Sequence, residues 1–494
     1  MPNLYAVLRA GFESRLGEVF LRLPDGGVVT FADVDDLSAR IATVLVDSGV
    51  RPGDRLVAQV PKSTTAVALY LAALRVGAVY VPLNEAYTGD EVAYLLADAE
   101  PSAVVLAPGR RLPPECTAVV LSLDEAGGGT LLERAAAAAP TAVLVDRGAE
   151  PVAMLYTSGT TGKPKGAMLT TENLISNARA LTDIWGFSSG DVLVHALPIF
   201  HVHGLFIALH CALLSGCEVR FLPRFDADAV RTALHGATTM MGVPTFYSRL
   251  LAHPEFSAGD CSSMRLFISG SAPLTEAVHH AFADRTGHRI LERYGMTETG
   301  MITSNPLHGE RIAGTVGYPL PDVSVRVADE RGAPCPVGEV GTVEVAGPNV
   351  FAGYWGMPDK TAASFRDDGY FITGDLGSLS DDGRLTLSGR GTDLIISGGL
   401  NVYPKEIEMV LDEIEGVEES AVIGVVHPDL GDAVVAVLVA DPSFDVAAVA
   451  AALDGRLARF KHPKHVAVVS ELPRNAMGKV EKVALRRRYA DLFS

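Results

Sequence analysis

The sequence predicts an α/β protein in two unequal parts. Residues 1–389 read as a large N-terminal domain of two doubly wound α/β subdomains plus a small β-subdomain, and residues 390–494 as a small α+β C-terminal domain. Three observations lead there. Strand-like runs such as RLVAQV (55–60) and SAVVLA (102–107) alternate with helical stretches such as Thr64 to Val76 and Gly89 to Asp98, the pattern of a largely parallel sheet with crossover helices. From about residue 311 the texture changes to short β-rich segments, VSVRVAD, GTVEVAG and GRLTLSG, separated by Gly, Pro and Asp pairs. After Gly389-Arg390 a polar stretch, GTDLIISGGLNVYPKEIE, precedes a renewed α+β pattern, which puts a domain boundary near 389–392.

Within the first 150 residues, Ala126–Thr130 and the alanine run at 135–139 read as a loose surface excursion. Residues 151–310 repeat the α/β alternation, with strands expected near 152–156, 192–196, 218–222 and 265–269. Leu193 to Leu214 is the most apolar stretch, but it contains His195, His201, His203 and His210 and is broken by Pro198 and Gly204. It reads as a buried strand, loop and helix rather than a membrane span. No fixed-period repeat points to a solenoid or propeller.

The 494 residues exceed one ordinary core, and 48% hydrophobic with 20% charged residues matches soluble globular chains. A net charge of −18 argues against a broad surface for nucleic acid or anionic lipid, so anionic ligands must be held by local features. Cys116, Cys211, Cys217, Cys261 and Cys335 show no metal-site spacing and fit free thiols in a reducing cytosol. The start, MPNLYAVLRAGFESRLGEVF, lacks a basic segment followed by an apolar core, so a cytoplasmic location is expected.

The sharpest chemical signal is Tyr156-Thr-Ser-Gly-Thr-Thr-Gly-Lys-Pro-Lys-Gly166, directly after the strand-like VAML. Three glycines, four hydroxyl residues and two lysines in eleven positions can wrap N–H groups, hydroxyls and cations around phosphate oxygens. It is not a Walker A loop, because Gly159 and Gly162 are two residues apart and Pro164 follows Lys163. A flexible Ser/Gly linker is the bland alternative, which the density of the motif and its anchoring strand disfavour.

That string resembles the phosphate loop of the superfamily of acyl-CoA synthetases, luciferases and peptide-synthetase adenylation domains. Companion strings stand in the same order: Arg293-Tyr-Gly-Met-Thr-Glu-Thr299, Tyr370-Phe-Ile-Thr-Gly-Asp-Leu-Gly377, Gly389-Arg390 through Tyr403-Pro-Lys-Glu-Ile-Glu408, and Pro473-Arg-Asn-Ala-Met-Gly-Lys479. The resemblance spans nearly the whole chain. It implies the adenylate-forming enzyme fold with a mobile C-terminal domain, Mg²⁺ with ATP as cofactor and coenzyme A as co-substrate. It also implies small-molecule partners only, with no nucleic acid and no membrane.

By the same resemblance, Thr157, Ser158, Gly159, Thr160, Thr161, Gly162, Lys163, Lys165 and Gly166 line the phosphates, and Glu298 holds Mg²⁺. Tyr294 stacks on adenine within the run Gly295, Met296 and Thr297, and Gly270, Ser271, Ala272 and Pro273 border the base. Asp375, helped by Arg390, takes the ribose hydroxyls. Lys479 ranks first among the catalytic residues, with Glu298, Thr157 and His201 beside it, although a lone lysine in such a turn is ordinarily a solvated charge. Ser397, Gly398 and Gly399 would line a thiol tunnel once the C-terminal domain rotates. The usual Asp or Lys at the hinge is replaced here by Thr392, with Asp393 next.

The strings HALPIFHVHGLF, MGVPTFYSRLL, RLFISGSAPL and LERYGMTET are most similar to malonyl-CoA synthetases, which implies malonate or methylmalonate as the acid. His201, Arg249, Ser271 and Arg293 are the expected acid-binding residues; His203 reads equally as a core histidine, and Arg249 alone as a surface helix residue. An arginine near an acyl tail makes chemical sense only if a second carboxylate pairs with it. Another short acid, or loading of a separate carrier protein, are the alternatives. Lys405, Lys461, His462 and Lys464 either meet CoA phosphates or form a solvated basic patch.

Overall fold

The computed structural model describes residues 2–110, 112–157, 164–397, 400–428, 430–454, 456–457, 459–475 and 478–493. Helix starts follow local capping chemistry. Thr30 with Asp33, Thr88 with Glu91, and Thr170 with Asn173 form reciprocal capping boxes at helices Phe31–Asp47, Gly89–Ala99 and Thr171–Ile184. Helix Thr64–Val76 starts on the Ser63 hydroxyl and stops at Gly77, whose φ of 71° is the left-handed stop glycine takes without strain.

Among the described residues the strands form four sheets. The first runs Gly353–Tyr354, Lys165–Thr170, Pro151–Thr157, Val79–Pro82, Arg55–Gln59, Ala103–Leu106, Val119–Ser122. Its interior pairings are parallel, as the alternating sequence predicts, and its Gly353–Lys165–Pro151 side is antiparallel. The second runs Tyr318–Pro319, Gly300–Ser304, Leu291–Met296, Leu266–Ser269, Thr239–Gly242, Val192–His195, Glu218–Phe221, Val19–Arg22, Val28–Thr30, again parallel inside and antiparallel at both ends. Strands Ser324–Ala328, Gly341–Ala346, Phe371–Leu379 and Leu385–Arg390 make a small antiparallel sheet. A last sheet centred on Val417–His427 and Gly431–Ala440 builds the C-terminal part.

One apolar cluster extends through both α/β subdomains, with helix Thr64–Val76 buried almost all round inside it. The C-terminal sheet keeps its own cores, one around Ile395, Ile407 and Val434, the other around Ala421, Leu472 and Leu485. Among the described residues no helix is long and apolar enough to cross a membrane.

Two expectations are corrected. The supposed surface excursion contains helix Thr130–Ala137, because Leu131 and Ala135, one turn apart, are both fully buried against the body. The strand Thr239–Gly242 joins the second sheet without an expected counterpart, its TMMG being too short and too glycine-bounded to announce itself. The apolar stretch 193–214 does resolve into strand, loop and helix, with a π-helical turn, His203–Ala208, leading into helix Leu209–Ser215.

Candidate active site

Strands Pro151–Thr157 and Lys165–Thr170 pair antiparallel with Thr157 opposite Lys165, so the phosphate-loop motif caps a hairpin. Ser158, Gly159, Thr160, Thr161, Gly162 and Lys163 lie outside the described residues. Gly166 is packed rather than open: a Cβ there would sit 2.7 Å from Met154 Sδ, and its carbonyl accepts the Trp355 N–H at 2.8 Å. The short strand Gly353–Tyr354 thereby lies against the returning strand, bringing the Tyr354 ring 4.2 Å below Lys165 Nζ. Burial lowers the Lys165 pKa, and the Glu298 carboxylate opposes that shift.

Strands Leu291–Met296 and Gly300–Ser304 form a second hairpin, with Met296 opposite Gly300. Gly295 is required there, since a Cβ would lie 2.1 Å from the Gly300 carbonyl oxygen. The turn carries half-buried Thr297 and Glu298, the latter 5% exposed. Glu298 Oε1 accepts from Tyr354 Oη at 3.0 Å and from Thr157 Oγ1 at 3.4 Å. A carboxylate and a hydroxyl brought together are hard oxygen donors of the kind Mg²⁺ takes.

Beside this turn, Tyr294 Oη donates to Asp375 Oδ2 at 2.5 Å, and Arg390 Nε reaches Asp375 Oδ1 at 3.1 Å. The register of Phe371–Leu379 with Leu385–Arg390 puts Asp375 opposite Arg390. The Tyr294 ring belongs to the apolar cluster of Ile302, Val343 and Leu385, so what it visibly does is brace Asp375. Lys479 approaches from the C-terminal part on a turn whose Gly478 lies against Thr245, with a Cβ position 3.2 Å from Thr245 Oγ1. Lys479 N donates to Asn475 Oδ1 at 3.0 Å. Burial and then Arg390 lower the Lys479 pKa, while Asp375, Asp393 and Glu298 oppose the shift, so these three carboxylates are within electrostatic reach of one cation.

A second group of side chains is built by the loop before the π-turn and by the end of strand Leu266–Ser269. His201 is half-buried there, with its pKa lowered to about 4 by burial and then by Lys479. His203, 2% exposed, has Nδ1 3.3 Å from Ser271 Oγ and, among the described residues, no hydrogen-bond partner at Nε2. Ser271 adopts φ 71°, an uncommon conformation for a non-glycine residue, next to half-buried Ala272. Arg293, 3% exposed, has no hydrogen-bond partner for Nε and Nη2 among the described residues, and burial lowers its pKa to about 9. Its guanidinium lies flat where a Gly270 Cβ would be, 2.4 Å from Cζ, and the neighbouring Ser269 Oγ is also buried and unpartnered. Four polar atoms of three side chains, Arg293, His203 and Ser269, are therefore buried without partners, a costly arrangement unless a ligand supplies acceptors.

Arg249 is exposed on helix Pro244–Ala252, one turn beyond Thr245 on the face that meets the Lys479 turn, whereas Arg293 is buried. Ser397 is buried on strand Ile395–Ser397, and Gly398 and Gly399 lie outside the described residues. Of the basic residues considered for CoA phosphates, Lys461 pairs with Glu406 and His462 meets the Leu457 carbonyl at 3.0 Å, so both have structural duties. Tyr354 was not anticipated. Its only local signal is a Gly-Tyr-Trp run, and its role depends on pairing with a strand nearly two hundred residues away. Among the described residues no three His, Cys, Asp or Glu side chains converge as a metal cage, so Glu298 would share Mg²⁺ with phosphate oxygens.

Residues 13–355 match the AMP-binding enzyme family and residues 406–479 the AMP-binding enzyme C-terminal domain. Malonate–CoA ligase from Arabidopsis thaliana is 38% identical over 371 residues, 68% of this chain, which spans 60% of that relative's length. A feruloyl-CoA synthase from an Amycolatopsis species is 37% identical over 475 residues, 94% of each chain. Among solved structures, MatB from Rhodopseudomonas palustris is 49% identical with full coverage of both chains; the TM-score is 0.97 with its ATP-bound form and 0.86 with its apo form.

Proposed function

The chain belongs to the AMP-binding enzyme family of adenylate-forming acyl-CoA synthetases, close to malonyl-CoA synthetase, and from that membership we propose that it ligates malonate, and methylmalonate, to coenzyme A through an acyl-adenylate. The observation that carries the dicarboxylate assignment is the buried Arg293, with Nε and Nη2 unpaired beside the unpaired Nε2 of His203. A carboxylate at the far end of the acid meets Arg293 with bidentate geometry and removes the desolvation penalty; a methyl or aryl tail leaves it standing.

The reaction then has two steps on one site. The near carboxylate attacks the α-phosphorus of ATP, an acyl–phosphate bond forms and pyrophosphate leaves. The CoA thiol next attacks the acyl carbon and AMP leaves. Asp375, braced by Tyr294 and Arg390, orients the ribose. Lys479, within electrostatic reach of Asp375 and Glu298, offsets negative charge gathering between acid and phosphate. His201, uncharged because burial holds its pKa near 4, contributes hydrogen bonding without adding a second cation. Thr157 and Glu298 would hold Mg²⁺, which when bound neutralises charge on the phosphates. The closer match to the ATP-bound relative supports an arrangement ready for the first step. The domain division at 389–390, rotation about residues 391–393 and use of Ser397 at the thiol entrance belong to the same proposal.

AMP and acyl-CoA formation by purified protein with Mg-ATP and CoA, across malonate, methylmalonate, succinate, acetate and benzoate, tests it. Malonate is expected to turn over, acetate to be rejected by about 10⁴, and Lys479→Ala to lose about 10²–10³ in the adenylation step. Best activity on acetate or benzoate would overturn the dicarboxylate assignment and keep the ligase. AMP without acyl-CoA would point to a carrier-protein acceptor.

A further inference from the structure

His195 and Lys62 lie behind the loop that carries His201 and His203, in two different sheets' territory. Lys62 follows strand Arg55–Gln59 of the first sheet and precedes the Ser63 cap of helix Thr64–Val76. His195 ends strand Val192–His195 of the second. Lys62 Nζ lies 2.8 Å from His195 Nδ1, donates to the His195 carbonyl at 2.9 Å and sits 4.3 Å over the Phe221 ring.

The contacts on the two sides of the ring settle its tautomer. Burial, and then Lys62, lower the His195 pKa to about 3, so its ring is neutral and carries one N–H; burial also pushes the Lys62 amine well down. The Gly204 carbonyl, 2.9 Å from Nε2, can only accept, so the proton sits on Nε2, and Nδ1 is left to accept from the Lys62 amine. Gly204 is the tightest point of the loop: a Cβ there would lie 2.1 Å from the Pro198 carbonyl oxygen. Leu205 N also donates to the His201 carbonyl at 2.9 Å, closing the turn around His203.

We infer that Lys62 is a positioning residue for the carboxylic acid substrate: by donating to both Nδ1 and the carbonyl of His195 it holds the ring whose Nε2–H pins Gly204, and so keeps the loop of His201 and His203 set toward Ser271 and Arg293. Neither Lys62 nor His195 needs to touch the substrate. The clasp also ties the first α/β subdomain to the acyl pocket of the second, so the pocket's shape depends on their docking.

The kinetic test rests on the ligase reading but not on which acid is used; it takes the acid that the wild-type enzyme turns over best. Lys62→Met keeps the length and removes the amine. It is expected to raise the KM for the acid about tenfold, the worth of one lost buried hydrogen bond, while the KM for Mg-ATP stays within about twofold. Lys62→Cys treated with 2-bromoethylamine, which rebuilds an amine of near-lysine length, should restore the acid KM, with wild-type enzyme treated in parallel as the control. Imidazole ¹⁵N spectra provide an arm that needs no turnover: His195 should show an unprotonated Nδ1 in the wild type, and that Nδ1 resonance should move in Lys62→Met, where its hydrogen-bond donor is gone. An unchanged His195 signal, acid and ATP KM values that rise together, or an alkylated variant without recovery would overturn the proposal.

Discussion

Arg293 is the residue whose surroundings fit its chemistry least in the absence of ligand. A guanidinium with two unpartnered nitrogens under 3% exposure costs several kcal/mol on the scale of buried charges. Arg293→Met is therefore expected to hold or raise the thermal midpoint while malonate turnover falls by about 10³ or more, the loss expected when a buried carboxylate loses its partner. A parallel melt and kinetic assay reads both. Tyr354→Phe removes the shorter hydrogen bond to Glu298 and is expected to raise the KM for Mg-ATP by about fivefold to tenfold, the worth of one bond to a charged group. At this scale a motif that carries its own chemistry draws attention to Glu298, Asp375 and Lys479 in the string, and the structure brings the first two within electrostatic reach of the third. The sequence was least legible where a contact comes from another strand. Gly166 and Gly295 look like phosphate-loop and motif glycines in the string, but neighbouring backbone and Met154 are what forbid a side chain there.

At the scale of elements, the departure at Thr392 acquires a physical setting. The short 3-10 turn Gly391–Asp393 is gripped from helix Lys482–Arg488, because Arg486 donates to Asp393 Oδ1 at 2.5 Å and to the Thr392 carbonyl at 3.5 Å. In the proposed rotation residues 392 and 393 would travel with the C-terminal sheet, and the swivel would fall to Gly391, which has no side chain to obstruct it. Arg486→Ala is expected to change the thioester step more than the adenylation step, measured by single-turnover transfer to CoA against pyrophosphate exchange. Equal effects on both would contradict a role in rotation. Helix Thr64–Val76 was readable to the residue because its cap, apolar run and stop glycine all agree. The π-turn His203–Ala208 was not, since its extra residue per turn is held by a hydrogen bond from His195, outside the turn itself.

For the molecule as a whole, with full coverage the structure is more similar to the ATP-bound relative, at a TM-score of 0.97, than to its apo form, at 0.86. The broad architecture was legible because period, turn chemistry and composition change together along the chain; the antiparallel sheet ends were not, as they depend on which hairpins dock at each edge. Burial also gives the molecule a pH dependence. His195 and His210 are lowered to about 3 and His201 to about 4, with His203 lowered as well. The unfolded chain binds those protons near pH 6.5, so the stability they represent is complete above that and is lost as pH falls toward 4. Glu292 and Asp412, raised by burial to about 8 and about 6, act in the opposite sense but are fewer. The thermal midpoint is expected to fall between pH 7 and pH 5; a flat or rising midpoint would contradict these assignments.

The most direct measurement of the central claim is the fate of carboxylate oxygen. Malonate labelled with ¹⁸O in both carboxylates is incubated with the enzyme, Mg-ATP and CoA, and the AMP and pyrophosphate are weighed by mass spectrometry. An acyl-adenylate route leaves one labelled oxygen in AMP and none in pyrophosphate, and acetate labelled in the same way leaves AMP formation at background. Label in pyrophosphate or in free phosphate, or turnover of malonate with unlabelled AMP, would contradict the account.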